Sequence, residues 1–497
     1  MVLSFPAFAE RPVAPRPNIL VIYVDDVGYN DLGCYDARDP AIQTPNIDRM
    51  AKEGMRFTNW ISAANTCAPS RAALLTGRYP MRNGVPAGGN PLGVFGEDHV
   101  LHYGLQPSEY TMAELLKDVG YKTAMYGKSH LGFSPIRHPT TFGFDEYYGS
   151  LGNFPIGGTR PIWDGDKMVS KAAKFQDIHL QLTNRAIDFM KASKTEKKPF
   201  FIYLSHYLAH GPWDPNRQFA TDEEWKIYQS NPRRGDLING GRNAYPAMMR
   251  ELDWHVGKVF DALKKLSLDD STIVFLVSDN GPWLPAGSAW PLRGSKFNTE
   301  EGGHRVPAIV RWPGKIPAGQ VCDKLTSTMD IYPTVSQLSG GKMPDERVID
   351  GRDINPILSG KPDAKGHDVL YYYGGELLEA VREGAWKLHL PRKKDQKVYW
   401  SRDNRLAGIV NLGKPMLYNL DDDIGEKNNV AAQHPEVVQR LLARANEARI
   451  ELGDWNKKGR DQKQVAFKGS ANDPKRHPRV PGFWFDFLER HGVEIPK

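Results

Sequence analysis

Three uninterrupted apolar runs constrain this chain more than any other feature. Asn18-Ile-Leu-Val-Ile-Tyr-Val ends in Asp25-Asp26, Phe200-Phe-Ile-Tyr-Leu-Ser205 is followed by His206 and His210, and Ser271-Thr-Ile-Val-Phe-Leu-Val-Ser278 ends in Asp279-Asn280. Such runs suit strands buried on both faces, as at the centre of a parallel sheet. Helical patterns lie between them. Thr111-Met-Ala-Glu-Leu-Leu-Lys-Asp-Val-Gly120 carries a Thr cap, a Glu three residues on and a terminal Gly. Met248, Leu252, Val256, Val259, Leu263 and Leu266 keep one helical face before the third run. Strands alternating with helices predict an α/β fold, a large doubly wound and mostly parallel sheet flanked by helices. Open sheets of this kind bind ligands just past the carboxyl ends of their strands. Asp25, Asp26, His206, His210, Asp279 and Asn280 all fall there.

At 497 residues the chain exceeds one ordinary core. Its texture changes near residue 360. His367-Asp-Val-Leu-Tyr-Tyr-Tyr and Leu378 to Leu388 read as antiparallel strands around a Gly turn, Leu417-Tyr-Asn-Leu420 as another short strand, and Pro435 to Leu452 as a helix. The expected organisation is a leader or signal remnant over 1–17, an α/β domain over 18–360, and a C-terminal α+β subdomain and tail over 361–497 with a short antiparallel sheet. The tail holds two basic runs, Lys457-Lys458-Gly-Arg460 and Lys475-Arg476-His-Pro-Arg479, whose ordinary meaning is a solvated surface.

A composition of 40% hydrophobic and 25% charged residues is that of a soluble globular protein. The net charge of +6 favours anionic partners without demanding nucleic acid. Three cysteines, Cys34, Cys67 and Cys322, exclude a disulfide framework. If Cys67 is committed to chemistry, at most Cys34 and Cys322 are left to pair. Ala7-Phe8-Ala9 resembles the end of an export signal, although no basic segment or full apolar stretch precedes it, and a disordered leader fits equally well. No run has the length of a membrane span.

Thr66-Cys67-Ala68-Pro69-Ser70-Arg71-Ala72-Ala73-Leu74-Leu75-Thr76-Gly77-Arg78 holds C-x-P-S-R followed by A-x-L-L-T-G-R. A lone Cys reads as a small buried hydrophobe, but this whole stretch resembles the signature of the type I sulfatases, arylsulfatase A-like members of the alkaline-phosphatase-like superfamily. The resemblance implies that a formylglycine-generating enzyme oxidises Cys67 to an aldehyde, which hydrates to a geminal diol. It also makes 18–360 the catalytic domain, and it covers roughly residues 18 to 315, with softer similarity to residue 450.

Further segments carry the same resemblance. Asp25, Asp26, Asp279 and Asn280 form an all-oxygen set that suits a hard cation. In the family these positions, with an oxygen of the modified Cys67, hold one Ca²⁺, with Mg²⁺ the alternative. Helix capping and turn chemistry are the ordinary reading of each motif alone. Arg71 is implied to hold the diol and stabilise the metal site. Gly127-Lys128-Ser129-His130-Leu131-Gly132 resembles G-K-W-H-L-G, with Ser in place of Trp. It implies Lys128 for sulfate and diol binding and His130 as the group that takes a proton from the diol. His210, before Gly211-Pro212, is implied to bind sulfate and protonate the leaving group, and His206 fits no family position. Lys296, in a stretch resembling G-K-x-x-x-x-E-G-G-x-R-V-P, is implied to bind sulfate and assist the leaving oxygen. Gly302-Gly303 reads as a tight turn with no further role.

The implied activity is hydrolysis of sulfate monoesters, with a sulfated carbohydrate preferred as substrate over a small aryl sulfate and a periplasmic or secreted location. A phosphonate monoester or phosphodiester hydrolase of the same superfamily is the alternative, since relatives share the motif. A two-zinc phosphatase would use a Ser or Thr nucleophile and further metal ligands that have no counterpart here. A non-catalytic binder of sulfated glycans would not need Lys128, His130, His210 and Lys296. Trp163, Trp213, Trp283 and Trp290, read as loop residues near the motifs, are candidates for stacking on sugar rings or for ordinary packing.

Overall fold

The computed structural model describes residues 16–86, 103–153, 160–230, 242–284, 286–393, 412–455 and 457–463. Nearly all of the expected leader and the basic run at Lys475–Arg479 lie outside the described residues.

Among the described residues, twelve strands precede the C-terminal texture change. They are β1 (Asn18–Val24), β2 (Met55–Phe57), β3 (Trp60–Ile61), β4 (Lys122–Gly127), β5 (Glu146–Gly149), β6 (Arg160–Asp164), β7 (Lys167–Ala173), β8 (Phe200–Ser205), β9 (Thr272–Ser278), β10 (Ala308–Arg311), β11 (Gln320–Cys322) and β12 (Thr326–Ser327). Ten of them form one sheet in the order β11-β2-β10-β9-β1-β8-β4-β5-β6-β7. The three apolar runs are β1, β8 and β9, adjacent and parallel at its centre. The parallel block extends through β4 and β5. Antiparallel pairs appear towards the margins, at β9–β10, β10–β2, β5–β6 and β6–β7.

Side chains on a strand alternate between faces, and the runs obey that rule. Ile19, Val21 and Tyr23 of β1, Phe201 and Tyr203 of β8, and Ile273, Phe275 and Val277 of β9 enter one apolar layer. Leu20, Ile22 and Val24, with Phe200, Ile202 and Leu204 and with Val274 and Leu276, enter the other. Helices cover both layers. α1 (Pro45–Glu53), α4 (Phe175–Thr195) and α5 (Arg242–Lys265) cover the second, while α2 (Cys67–Thr76), α3 (Met112–Asp118) and α6 (Ile331–Ser339) cover the first. The predicted cap of α3 is present: Glu114 N donates to Thr111 Oγ1 at 3.2 Å and Thr111 N to Glu114 Oε2 at 2.7 Å. That pair contributes on the order of 1 kcal/mol.

A second sheet, antiparallel and ordered β13 (Val369–Gly374), β14 (Leu377–Glu383), β15 (Trp386–His389), β16 (Met416–Asn419), packs against α7 (Pro435–Glu451). Its apolar cluster also takes in Ala73 of α2, Tyr79 and Met81, so the small sheet rests on the helix that starts at Cys67. Cys34 and Cys322 are unpaired thiols. No described helix is long and apolar enough to cross a membrane.

Candidate active site

Backbone hydrogen bonds continue past the ends of the central strands and draw their polar residues together. Asp25 N donates to Leu208 O at 3.0 Å and Asp279 N to Val24 O at 3.0 Å. Asp26 then turns through a left-handed backbone with φ 60°, a conformation costing about 1 kcal/mol that surrounding contacts must hold. Asp26 N donates to Asp279 Oδ1 at 3.1 Å.

α2 begins at Cys67, so Cys67 itself forms its first turn. Every residue of this helix is buried. Ser70 fixes its height through Tyr23 Oη at 2.5 Å and Ser62 Oγ at 2.9 Å. Cys67 Sγ thereby lies 3.4 Å from Asp25 Oδ1 and 3.9 Å from Asp26 Oδ1. Burial pushes its pKa well up, outweighing Lys128 and Lys296. As a thiol it is therefore a poor nucleophile.

One turn on, Arg71 is enclosed. Its guanidinium lies 2.8 Å from Asp279 Oδ2 and 3.4 Å from Asp25 Oδ1, and it also donates to Ser205 Oγ. Lys128 follows β4, where Gly127 is required: a Cβ there would stand 1.9 Å from Ser205 O. Lys128 Nζ reaches Asp25 Oδ2 at 2.6 Å. Lys296 Nζ contacts both Asp26 oxygens, at 2.6 and 2.7 Å, and Cys67 Sγ at 3.1 Å. Burial alone would raise the Asp25 carboxyl, but Lys128, His210, Arg71 and Lys296 hold it well below the usual carboxylate range. Asp279 is instead pushed upward, by burial and then by Asp25. Three buried cations thus face three buried carboxylates, a balance that lowers the desolvation penalty of each.

Gly302 and Gly303 do more than turn the chain, contrary to the sequence expectation. They sit in the short helix Glu301–His304. A Cβ on Gly302 would lie 2.4 Å from Gly294 O and one on Gly303 2.0 Å from Asn298 O. This close backbone approach seats the Lys296 loop.

His210 Nδ1 lies 2.6 Å from Gly211 O. A carbonyl only accepts, so Nδ1 carries the proton and Nε2, 3.5 Å from Asp26 Oδ2, has its lone pair free. Burial and then Lys296 lower its pKa to about 4. His130 is buried with φ 55°, and its N donates to Leu151 O at 3.1 Å.

Asp25, Asp26, Cys67 and His210 place their ligand-type atoms within 4.8 Å of one another. The sequence reading grouped Asp279 and Asn280 with the aspartates and did not place His210 there. Asp279 is divided between Arg71 and Asp26 N. Asn280 Nδ2 donates to Asp26 Oδ1 at 2.7 Å, while Asn280 Oδ1 is buried without a hydrogen-bond partner among the described residues. A buried acceptor left over beside two carboxylates fits a hard cation. His206 lies elsewhere, with ring centroids 5.2 Å from His179 and 5.3 Å from His255. Ser205, Ser62 and Tyr23, which lock Arg71 and α2, were not foreseen. A polar residue closing an apolar run, as at Ser205, was the available signal.

The tryptophans separate. Trp163 belongs to β6 rather than a loop and is buried, as is Trp213. Trp290 is 48% exposed, with the Arg38 guanidinium 4.7 Å from its ring centre. Trp283 is half-buried, edge-on to His210 at 5.5 Å, with Lys296 Nζ 5.1 Å from its ring centre.

The sulfatase family model matches residues 17–341, and a model of the C-terminal region of aryl-sulfatase matches residues 365–469. N-acetylgalactosamine-6-sulfatase of Canis lupus familiaris is 33% identical over 479 residues, covering 89% of this chain and 87% of that protein. Steryl-sulfatase of Rattus norvegicus is 35% identical over 550 residues, covering 89% and 91%. The crystal structure of Ps i-CgsB in complex with k-i-k-neocarrahexaose has a TM-score of 0.74 at 28% identity, covering 91% of this chain and 95% of that one. Fold and matches agree: the chain belongs to the sulfatase family and is a sulfuric ester hydrolase.

Proposed function

We propose that this sulfatase acts on a sulfated carbohydrate, using a formylglycine made from Cys67 by a formylglycine-generating enzyme and one Ca²⁺. The carrying observation is the setting of Cys67 Sγ, enclosed by Asp25, Asp26 and Lys296. A sulfur so placed serves neither a disulfide nor a thiolate, whereas oxygens in its place would meet both carboxylates and an ammonium. Asp25, Asp26, Asp279 and Asn280 hold the cation, which would supply Lewis-acid polarisation of the attacking oxygen. The hydrated aldehyde would supply that oxygen and a second hydroxyl whose deprotonation releases sulfate.

The remaining roles belong to side chains already in position. Lys128 and Lys296 bind and neutralise sulfate oxygens. Arg71 holds the modified residue and ties Asp25 to Asp279. His210 binds sulfate, and a proton taken up on its free Nε2 as the anionic substrate binds is delivered to the leaving oxygen. His130 takes the proton whose loss frees sulfate. Residues 18–360 act as the catalytic domain and 361–497 as its C-terminal support. The carbohydrate reading rests on Trp283, a half-buried ring against His210 and Lys296, placed where a sugar leaving group would stack. The relatives include an N-acetylgalactosamine-6-sulfatase, and Ps i-CgsB was crystallised with a neocarrahexaose. Export to the periplasm or outside the cell suits such a substrate.

The test is protein co-expressed with the modifying enzyme, peptide mass spectrometry at Cys67, and rates on sulfated saccharides, aryl sulfates and phosphate diesters. Aldehyde at Cys67 with highest kcat/KM on a saccharide is expected. An unmodified thiol with full activity would overturn the nucleophile, and preference for the diester would overturn the substrate.

A further inference from the structure

Most buried arginines among the described residues have carboxylate partners. Arg71 faces Asp279 and Asp25, Arg82 faces Asp350, Arg311 faces Asp269, and Arg382 faces Glu301. Arg160 departs from that pattern. It opens β6, is only 9% exposed, and among the described residues no carboxylate forms an ion pair with it. Its Nε donates to the carbonyl of Asn153, which leaves the two terminal amino groups of the guanidinium over. Burial, opposed only by Tyr207, lowers its pKa to about 10. A buried, uncompensated guanidinium is costly unless an anion joins it.

Its position relates it to the catalytic wall. A Cβ on Gly152 would stand 3.8 Å from one terminal nitrogen of Arg160 and 3.1 Å from the Phe133 ring. Phe133 lies edge-on to His130 at 6.3 Å between centroids. His130 N and Ser129 N donate to Leu151 O and Ser150 O, both at 3.1 Å, so the segment beside Arg160 is the one that supports His130. Tyr207, next to the end of β8, closes the far side by accepting from Ser150 N at 2.6 Å.

We propose that Arg160 is a second anion subsite on the His130 side of the pocket, binding an oxyanion of the substrate other than the sulfate being cleaved. A guanidinium offers paired donors that match carboxylate or sulfate oxygens. The ligand is therefore a sulfated saccharide bearing either a uronate carboxylate or a second sulfate ester. This inference rests on the carbohydrate reading above.

The experiment compares wild type, Arg160→Gln and Arg160→Lys on 4-nitrophenyl sulfate, a neutral monosulfated sugar, a disulfated sugar and a sulfated uronate disaccharide. Arg160→Gln is expected to raise KM about tenfold or more on one or both doubly charged sugars, the loss of one charged pair. It should leave both singly charged substrates within about twofold, with Arg160→Lys intermediate. Which doubly charged sugar responds identifies the oxyanion. Equal losses on all four substrates, or none on any, overturn the subsite. Should the wild type turn over no saccharide, the carbohydrate reading fails separately. Thermal shift of wild type and Arg160→Gln with the two doubly charged sugars then reads the subsite alone, and an identical shift in both proteins overturns it.

Discussion

Lys296 Nζ stands 3.1 Å from Cys67 Sγ and 2.6 Å from Asp26 Oδ1, so one ammonium spans the nucleophile position and a metal-type carboxylate. Its two roles respond in opposite directions to its removal. Lys296→Met frees Asp26 for a cation and is expected to tighten Ca²⁺ binding, measured by calorimetry. It should lower kcat/KM by about 10² or more, as loss of one charge-stabilising group does. Weaker Ca²⁺ binding would contradict this arrangement.

Against the proposed diol, Cys67→Ser would keep one hydroxyl and lose the second that drives release. It is expected to lower steady-state turnover by at least about 10³ and to retain sulfate covalently after exposure to substrate. Intact mass before and after incubation reads the adduct. Steady turnover near the wild-type rate would sink the two-hydroxyl scheme.

His210 presents a bare Nε2 towards Asp26 because Nδ1 is committed to Gly211 O. His210→Asn should cost about 10² to 10⁴ in rate on alkyl or sugar sulfates, whose leaving oxygens need a proton. On 4-nitrophenyl sulfate, with its stable leaving group, the loss should be markedly smaller. An equal loss on both would assign His210 to binding alone.

Glu301 anchors the active-site loop to the small sheet. It accepts from Lys387 at 3.0 Å, Tyr372 at 2.9 Å and Arg382 at 2.8 Å. Glu301→Ala leaves two buried cations short of a partner and should destabilise by about 3–5 kcal/mol. Denaturant midpoints measure it, and a loss below about 1 kcal/mol would contradict the role.

Glu251 is one of the buried carboxylates that contribute to acid stability. Burial would raise its carboxyl, but His179 and His255 outweigh that and hold it down to about 2, against an ordinary value of 4.5. Because the folded value lies below the unfolded one, the contribution is present above pH 4.5 and is lost as pH falls towards 2. Glu251→Gln should lower stability by about 3 kcal/mol at pH 7, with the gap to wild type closing below pH 4.5. A gap unchanged across that range would refute it.

The sheet core was legible because β1, β8 and β9 lack any polar interruption, and burial on both faces admits no other pattern. The marginal strands β2, β3, β11 and β12 were not, since two or three residues carry no periodicity. Asp25, Cys67, Lys128 and Lys296 were legible as motif members. Their pairing was not: that Arg71 takes Asp279 while Lys296 takes Asp26 depends on heights set by Ser70 and by the packed glycines of the Lys296 loop. Trp163 was misplaced because a β-hairpin at a sheet edge, turning at Gly165, reads locally as a loop.

Cys67 is 4% exposed, under strands that come from far along the chain. The enzyme proposed to oxidise it would have to meet it before β8 and β9 dock on β1. β9 ends roughly 200 residues after Cys67, which at the pace of synthesis opens a window of about 10–40 s. The fraction of molecules ever able to turn over would then be decided by a race during translation, and no later treatment of the folded protein could recover the remainder.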